Sequence, residues 1–441
     1  MLLVGNGKLL TFDEQMTFLP NGAVAIENDK IIAVGETEAL KAKYAQAEWI
    51  DAKGNCILPG WINLHHHIYS AFARGMSLGG SASTDFLQVL NSLWWRLDKA
   101  LTLEDVTYSA WVTLIDCIRN GVTTLFDHHA SPMAAKDSLF AIGEVVKALG
   151  LRASLSLEVS DRDGEAVANS LIDENLAWLD ACREGNDERL QGLFGLHAPF
   201  TLSNETLEKC AARIHAEDGY HVHIAEGALD ATDSMNQYHM QVLDRLDRFH
   251  ILRENTMAVH CIALPDYSFD LLHERKVCVA HNPQSNMNNG VGCARVLDMM
   301  QKGVLVGLGT DGYTSDILES YKTAPILQRH AAQNPGIGFM ETADMLLRNN
   351  AAAAMRSFAK PLGVLKEGAY ADVIIMHYDP PTPLMQDNQI GHILFGLTGA
   401  MVDTTIASGK VLMRNRQVEV VDAEQLFAKA REVAAKLWKR V

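Results

Sequence analysis

Eight short apolar runs of strand length, at 57–64, 122–127, 153–158, 193–197, 220–225, 257–260, 277–280 and 304–309, alternate with stretches of helical period such as 103–120, 135–149, 165–183, 203–218 and 235–249. Strands separated by helices pair in parallel, because a parallel neighbour is reached only through a crossover. Eight such units predict an α/β chain built as a (β/α)8 barrel. The rival, an open doubly wound sheet, would want a Gly-rich phosphate loop after its first strand, and none is there. Nearly every run stops at a polar side chain: His65 and His67, then Asp127-His128-His129, Glu158, His197, His223 with Glu226, His260, His281-Asn282 and Asp311. Barrels of this kind assemble their sites at the carboxyl ends of the strands, so these residues are expected to converge.

The two ends of the chain have a different texture. Short strands and turns fill residues 1–55, and the same pattern returns after Gly363 in 371–376, 404–407 and 410–413. Neither end has enough strands to bury a core alone. The expected domains are therefore a composite β-sandwich from 1–56 and 363–420, the barrel over 57–362, and a terminal helix at 421–441 with Leu437 and Trp438 packing on the body or a subunit interface. The helical run at 341–358 shows no chemistry. Net charge is −16 with no Lys/Arg-rich block, which argues against nucleic acid and anionic membrane as partners. No window approaches the roughly 18 apolar residues of a membrane span, and no leader pattern opens the chain, so a cytoplasmic location is expected. The seven cysteines are scattered without a C-x-x-C pair, which disfavours disulfides and a thiolate zinc site.

Along an extended strand alternate side chains share a face, which puts His65 and His67 together. Two neutral imidazoles so placed suit one divalent metal ion at about 2 Å. In the segment 221–226, His223 is nearer the rim and is the expected third ligand, with His221 lower in the barrel as a hydrogen-bonded interior residue. Glu226 lies three positions on, where it can shuttle a proton. Asp311 alone would read as a turn aspartate before a glycine; with three histidines converging, it completes the coordination sphere. His260 is a fourth ligand or a catalytic histidine beside the metal, and the latter is preferred. Three histidines and one carboxylate leave a position open for water, whose pKa a metal lowers from about 15.7 toward ~7. Zn2+ is the expected ion, and Fe2+ or Mn2+ suits the same N/O donors.

The run Pro59-Gly60-Trp61-Ile62-Asn63-Leu64-His65-His66-His67, the segments 93–98, 127–132, 197–201 and 282–289, and Gly368-Ala369-Tyr370-Ala371-Asp372-Val373 carry a further signal. Through them the chain resembles, over essentially its full length, the amidohydrolase superfamily and its deaminase and chlorohydrolase branch. The resemblance implies one metal ion held by His65, His67, His223 and Asp311. Glu226 and His260 would be the proton-transfer pair, Asp311 could also take a proton from water, and His197 would face the substrate. It also implies a homodimer or larger assembly acting on a small molecule. The expected reaction is hydrolytic release of ammonia from an amino-substituted purine- or pyrimidine-like ring. Hydrolysis of a cyclic amide, ring C–N or carbon–halogen bond is the alternative. A ligand-binding barrel without turnover is disfavoured, because the full constellation is present. Further candidates for substrate contact are Tyr69, Arg74, Trp94, Trp95 and Asn286. His129 is preferred over His128 for the pocket on strand parity with Asp127, and Asn282 and Ser285 are expected to brace their loop.

Overall fold

The computed structural model describes every residue except Leu78, Gly80 and Ser81. The chain opens with five strands, β1 (Leu2–Leu10), β2 (Phe18–Glu27), β3 (Lys30–Glu36), β4 (Glu48–Asp51) and β5 (Cys56–Pro59). The barrel follows as β6 (Trp61–His66), β7 (Val122–His129), β8 (Arg152–Leu157), β9 (Leu190–Gly192), β10 (Phe194–Leu196), β11 (Tyr220–Ile224), β12 (Met257–His260), β13 (Cys278–His281) and β14 (Leu305–Leu308). Four strands end the chain's β-structure: β15 (Val373–Met376), β16 (Val402–Ala407), β17 (Lys410–Arg414) and β18 (Gln417–Val418).

Both ends of the chain enter one sheet in the order β18-β17-β16-β15-β5-β1-β2-β3, with β4 added beside β1. Ile31 of β3 and Ile406 of β16 lie far apart on that path, yet share one buried cluster with Val24, Ile57 and Val373. The sheet thus folds over its own core. The run expected as one strand at 57–64 is two. Cys56–Pro59 pairs with β1 and β15, and Trp61–His66 starts the barrel, so the division between the two bodies falls at Gly60 rather than at residue 57. Gly60 is required there, since a Cβ would sit 2.3 Å from Thr123 Oγ1.

The barrel forms from two parallel arcs, β6 to β9 and β10 to β14. The fourth stave is broken at Leu193, so that β9 pairs with β8 and β10 with β11. Two buried asparagines close the seams. At the seam between last and first staves, the Thr310 and Asp311 amides donate to His65 O at 2.9 and 3.0 Å. Asn350 staples the same seam: Oδ1 accepts from Leu308 N at 2.7 Å, while Nδ2 donates to Ile62 O at 2.8 Å and Leu308 O at 3.0 Å. Asn175 repeats the arrangement at the other seam. It accepts from the Leu157 and Gly195 amides at 3.1 and 3.0 Å and donates to Leu157 O at 2.7 Å. The helical run around 350, which the sequence left without chemistry, therefore locks the barrel. Ile62, Leu64, Phe126, Met257, Val259 and Cys278 fill one end of the interior against Ala351, Ala354 and Phe358.

The terminal helix Ala423–Leu437 lies on the helix Leu103–Arg119, Leu437 is buried, and Trp438 Nε1 donates to Phe72 O at 2.7 Å. All seven cysteines are free, and no helix among the described residues is long and apolar enough to cross a membrane.

Replacing Asn350 with alanine strands buried peptide groups on two strands at once. Asn350→Ala is expected to lower unfolding free energy by roughly 2–4 kcal/mol. Equilibrium denaturation of the metal-loaded protein checks it.

Candidate metal centre and active site

His65 and His67 both reach the barrel interior because β6 is irregular between Asn63 and His66. Asn63 holds that irregularity: Oδ1 accepts from His65 N at 3.3 Å, and Nδ2 donates to Thr310 Oγ1 at 2.7 Å. Across the seam Asp311 sits at φ 57°, a left-handed conformation that costs a non-glycine residue about 1–3 kcal/mol. Gly309 is needed beside it, because a Cβ there would meet His65 Cβ at 2.8 Å. His260 is likewise at φ 71°, at the end of β12.

Hydrogen bonding assigns the tautomer of each imidazole. Ser156 Oγ donates to Asp127 O at 2.8 Å, so His221 Nδ1–H donates to Ser156 Oγ at 3.2 Å and His221 Nε2 is left as an acceptor. It accepts from His65 Nδ1–H at 2.9 Å. His67 Nδ1–H donates to His128 O at 2.5 Å, and His223 Nδ1–H to His197 O at 2.9 Å. His260 Nδ1–H donates to Asn286 Oδ1 at 2.8 Å. Every one of these four rings is left with an Nε2 lone pair turned inward.

The lone pairs meet. His67 Nε2 and His223 Nε2 are 3.3 Å apart, and His67 Nε2 lies 3.1 Å and His65 Nε2 3.7 Å from Asp311 Oδ1. His65 Nε2 and His260 Nε2 are buried without a hydrogen-bond partner. Acceptors facing acceptors in a dry site require a cation between them. The same demand is legible in protonation: burial alone would lower His67, but Asp311, with Glu158 and Asp127 behind, carries it up to about 9. Burial would raise Asp311, yet His65 and His67 hold it well below the ordinary carboxylate range. The residues fit one divalent ion.

Above this centre, His260 Nε2 lies 3.5 Å from Glu226 Oε2 and 3.6 Å from Asp311 Oδ2, which also accepts from Ser285 Oγ at 2.7 Å. Burial, then the Asp311 carboxylate, push Glu226 well above the usual carboxylate range. Asn289 Nδ2 donates to Glu226 Oε1 at 3.3 Å. The pocket over these groups is walled by aromatic rings, among them Tyr69, Trp94, Trp95, Phe200 and Tyr313. His197 lines it too, edge-on to Trp95 at 6.2 Å.

Three expected pocket residues lie elsewhere. Arg74 is exposed and pairs with Asp116 at 3.4 Å, outside the cleft. His129 is fully buried, bonded to Ser131 Oγ at 2.9 Å and packed beneath Tyr69. It is His128 that enters the barrel, because Phe126, two residues earlier, is already on the inward face. Asn286 is buried and holds His260 rather than lining the pocket. Conversely, Asn289, Tyr313 and the Asp98–Arg162 pair (3.1 Å) behind Trp95 were not singled out. Glu158 was noted only as a polar strand end. Its place in that series was the available signal.

The amidohydrolase family model matches residues 56–412, and an imidazolonepropionase-like composite domain model matches residues 22–47. The chain belongs to the amidohydrolase family. It is 32% identical over 448 residues to the 5'-deoxyadenosine deaminase of Methanosarcina acetivorans, covering 99% of this chain and 98% of the relative. Its fold is that of a zinc-bound adenosine deaminase from Xanthomonas campestris, at a TM-score of 0.86 and 21% identity over 99% of this chain and 98% of the other. An atrazine chlorohydrolase from Arthrobacter aurescens TC1, complexed with zinc, superposes at 0.82 with 22% identity over 98% and 100% of the two chains.

Two substitutions separate the centre from its surroundings. His67→Ala is expected to weaken metal affinity at least about 100-fold, read by metal analysis after dialysis. Arg74→Ala should leave metal content and activity within about twofold of wild type.

Proposed function

We propose that this amidohydrolase is a zinc-dependent hydrolytic deaminase that releases ammonia from an amino-substituted purine or related nitrogen heterocycle. The observation that carries the reading is the pairing of two dry sites across one pocket floor. On one side are the inward Nε2 atoms of His65, His67 and His223 with Asp311; on the other is the buried Glu226 carboxyl, in reach of His260. The aromatic walls suit a flat ring.

His65, His67, His223 and Asp311 would hold the ion, which when bound polarises water and draws its pKa toward ~7. Asp311 Oδ2, on the Ser285 hydroxyl, is placed to accept a proton. Glu226 gives its proton to the ring nitrogen beside the amino-bearing carbon and relays another to the departing ammonia. His260, fixed by Asn286, donates no proton from Nε2 in its neutral form and steers the attacking oxygen as an acceptor. Net, water adds hydroxyl to the carbon and ammonia leaves.

The name of the Methanosarcina relative supports removal of an amino group from a purine. The N/O donor set admits zinc, and the zinc in two solved structures of this fold supports that choice over iron or manganese. Seven free thiols support a reducing, cytoplasmic compartment. Exposed apolar side chains such as Phe395 support a homo-oligomer.

The test is ammonia release by zinc-loaded protein from 5'-deoxyadenosine, aminopurines and aminopyrimidines. Activity should vanish with chelator and return with zinc; a stoichiometrically loaded protein silent on all of them would sink the deaminase reading. Glu226→Gln should keep its metal and lose at least about 100-fold in kcat. A variant near the wild-type rate would show that another group is the acid.

A further inference from the structure

Glu158, the residue that follows β8, lies at the pocket wall with 5% of its surface exposed, and nothing in the proposed reaction uses it. Its neighbours are imidazoles: His128 Nδ1 at 3.4 Å from Oε1, His67 Nδ1 at 3.8 Å from Oε1, and His197 Nε2 at 3.8 Å from Oε2. Tautomers decide what these contacts are worth. His67 Nδ1–H is already given to His128 O. His128 Nε2–H donates to His221 O at 3.0 Å, which leaves Nδ1 a lone pair, buried and unpartnered. Thr201 Oγ1 donates to Ala198 O at 2.9 Å and so accepts His197 Nδ1–H at 2.8 Å, leaving His197 Nε2 an acceptor as well.

The carboxylate thus faces two imidazole lone pairs and one N–H already committed to His128 O, and among the described residues no side chain makes a hydrogen bond to it. No lysine or arginine among the described residues lines the pocket; Arg162 is spent on Asp98. A buried carboxylate left so is costly unless the ligand supplies the missing donors.

We infer that Glu158 and His197 Nε2 form an acceptor pair that selects the substrate by an N–H edge beside its amino-bearing carbon. The substrate class is a lactam or amidine heterocycle, in which a ring N–H flanks the carbon to be attacked. A ring presenting only lone pairs at that edge sets acceptor against acceptor. This rests on the reading of the pocket as a site for an amino-substituted ring, and it departs from the adenosine chemistry in the relative's name, because adenine carries no ring N–H beside its amino-bearing carbon.

Two matched pairs test it, each sharing ring and amino group and differing at the flanking nitrogen: guanine against 2-aminopurine, and isocytosine against 2-aminopyrimidine. Dissociation constants are measured on the zinc-loaded chain by titration calorimetry. The N–H member of at least one pair should bind about tenfold tighter or more. In Glu158→Gln that ratio should fall below about threefold, with metal content unchanged and the weaker member's affinity retained. Equal or reversed preference in wild type, no binding by either pair, persistence of the ratio in the variant, or loss of metal from it would each overturn the proposal. The wild-type ratio stands without any variant. Ammonia release is scored separately: tight binding of guanine without ammonia would fail the deaminase reading alone, and ammonia from adenosines with no N–H preference would fail this inference alone.

Discussion

Closure of the barrel between β14 and β6 is the constraint on which the site depends. His65 and His67 come from one side of that seam and Asp311 from the other, and their separations of 3.1 to 3.7 Å are set by backbone bonds from Thr310 and Asp311 to His65 O. Neither strand can shift without separating these side chains. Asn350 matters for the same reason. Its side chain takes one donor and two acceptors from the two strands, so a slip of either would strand buried peptide groups at about 1–3 kcal/mol apiece. Small residues at the crossing, Gly307 and Gly309, are the geometric condition for that close approach. The left-handed backbone at Asp311 is tolerable only because both of its flanks are tied down.

A second layer converts that geometry into chemistry. Each of the imidazoles of His67, His223 and His65 sends its one proton outward, to His128 O, His197 O and His221 Nε2 respectively, and this is what makes the inward face a field of lone pairs. His221 is therefore no spare histidine. With Ser156 and Asp127 O it forms a relay that fixes the tautomer of His65 from three residues away in space. Removing the desolvated lone pairs' cation would leave like facing like in a medium where such contacts are expensive, so metal binding and local order are one event.

Strand alternation and the recurrence of polar strand ends were enough to foresee the barrel, the composite sheet and the convergence of His65, His67, His223 and Asp311. The errors have local causes. Period-two reasoning assigned His129 inward from Asp127, whereas Asp127 turns its carboxylate to Ile68 N at 2.7 Å and the inward series is Phe126 and His128. The same reasoning put His65 and His67 on one face, and the register shift between Asn63 and His66 is what turns that face inward. Arg74 could not be placed from pattern, since a loop arginine finds whichever carboxylate the tertiary fold brings, here Asp116. The stapling role of Asn350 had no sequence signature either, because a buried asparagine inside an alanine-rich helix is defined only by what the neighbouring strands leave unpaired.

Reaction and specificity are carried by different parts of such a site, and here the division is uneven. Trp94 and Trp95 stand on the insertion between β6 and β7, outside the barrel strands. Glu158 cannot: it follows directly on β8, its amide donates to His129 O at 2.9 Å, and its carboxylate shares the floor with His67 and His197. A group so rigidly held contributes discrimination without the entropy cost of ordering a loop. It also sits close enough to the ligand sphere that its charge acts on substrate and metal centre together. A ring N–H donating to this carboxylate would hold the ring in the same pocket that Asp311 lines, which ties recognition of the edge to placement of the ring.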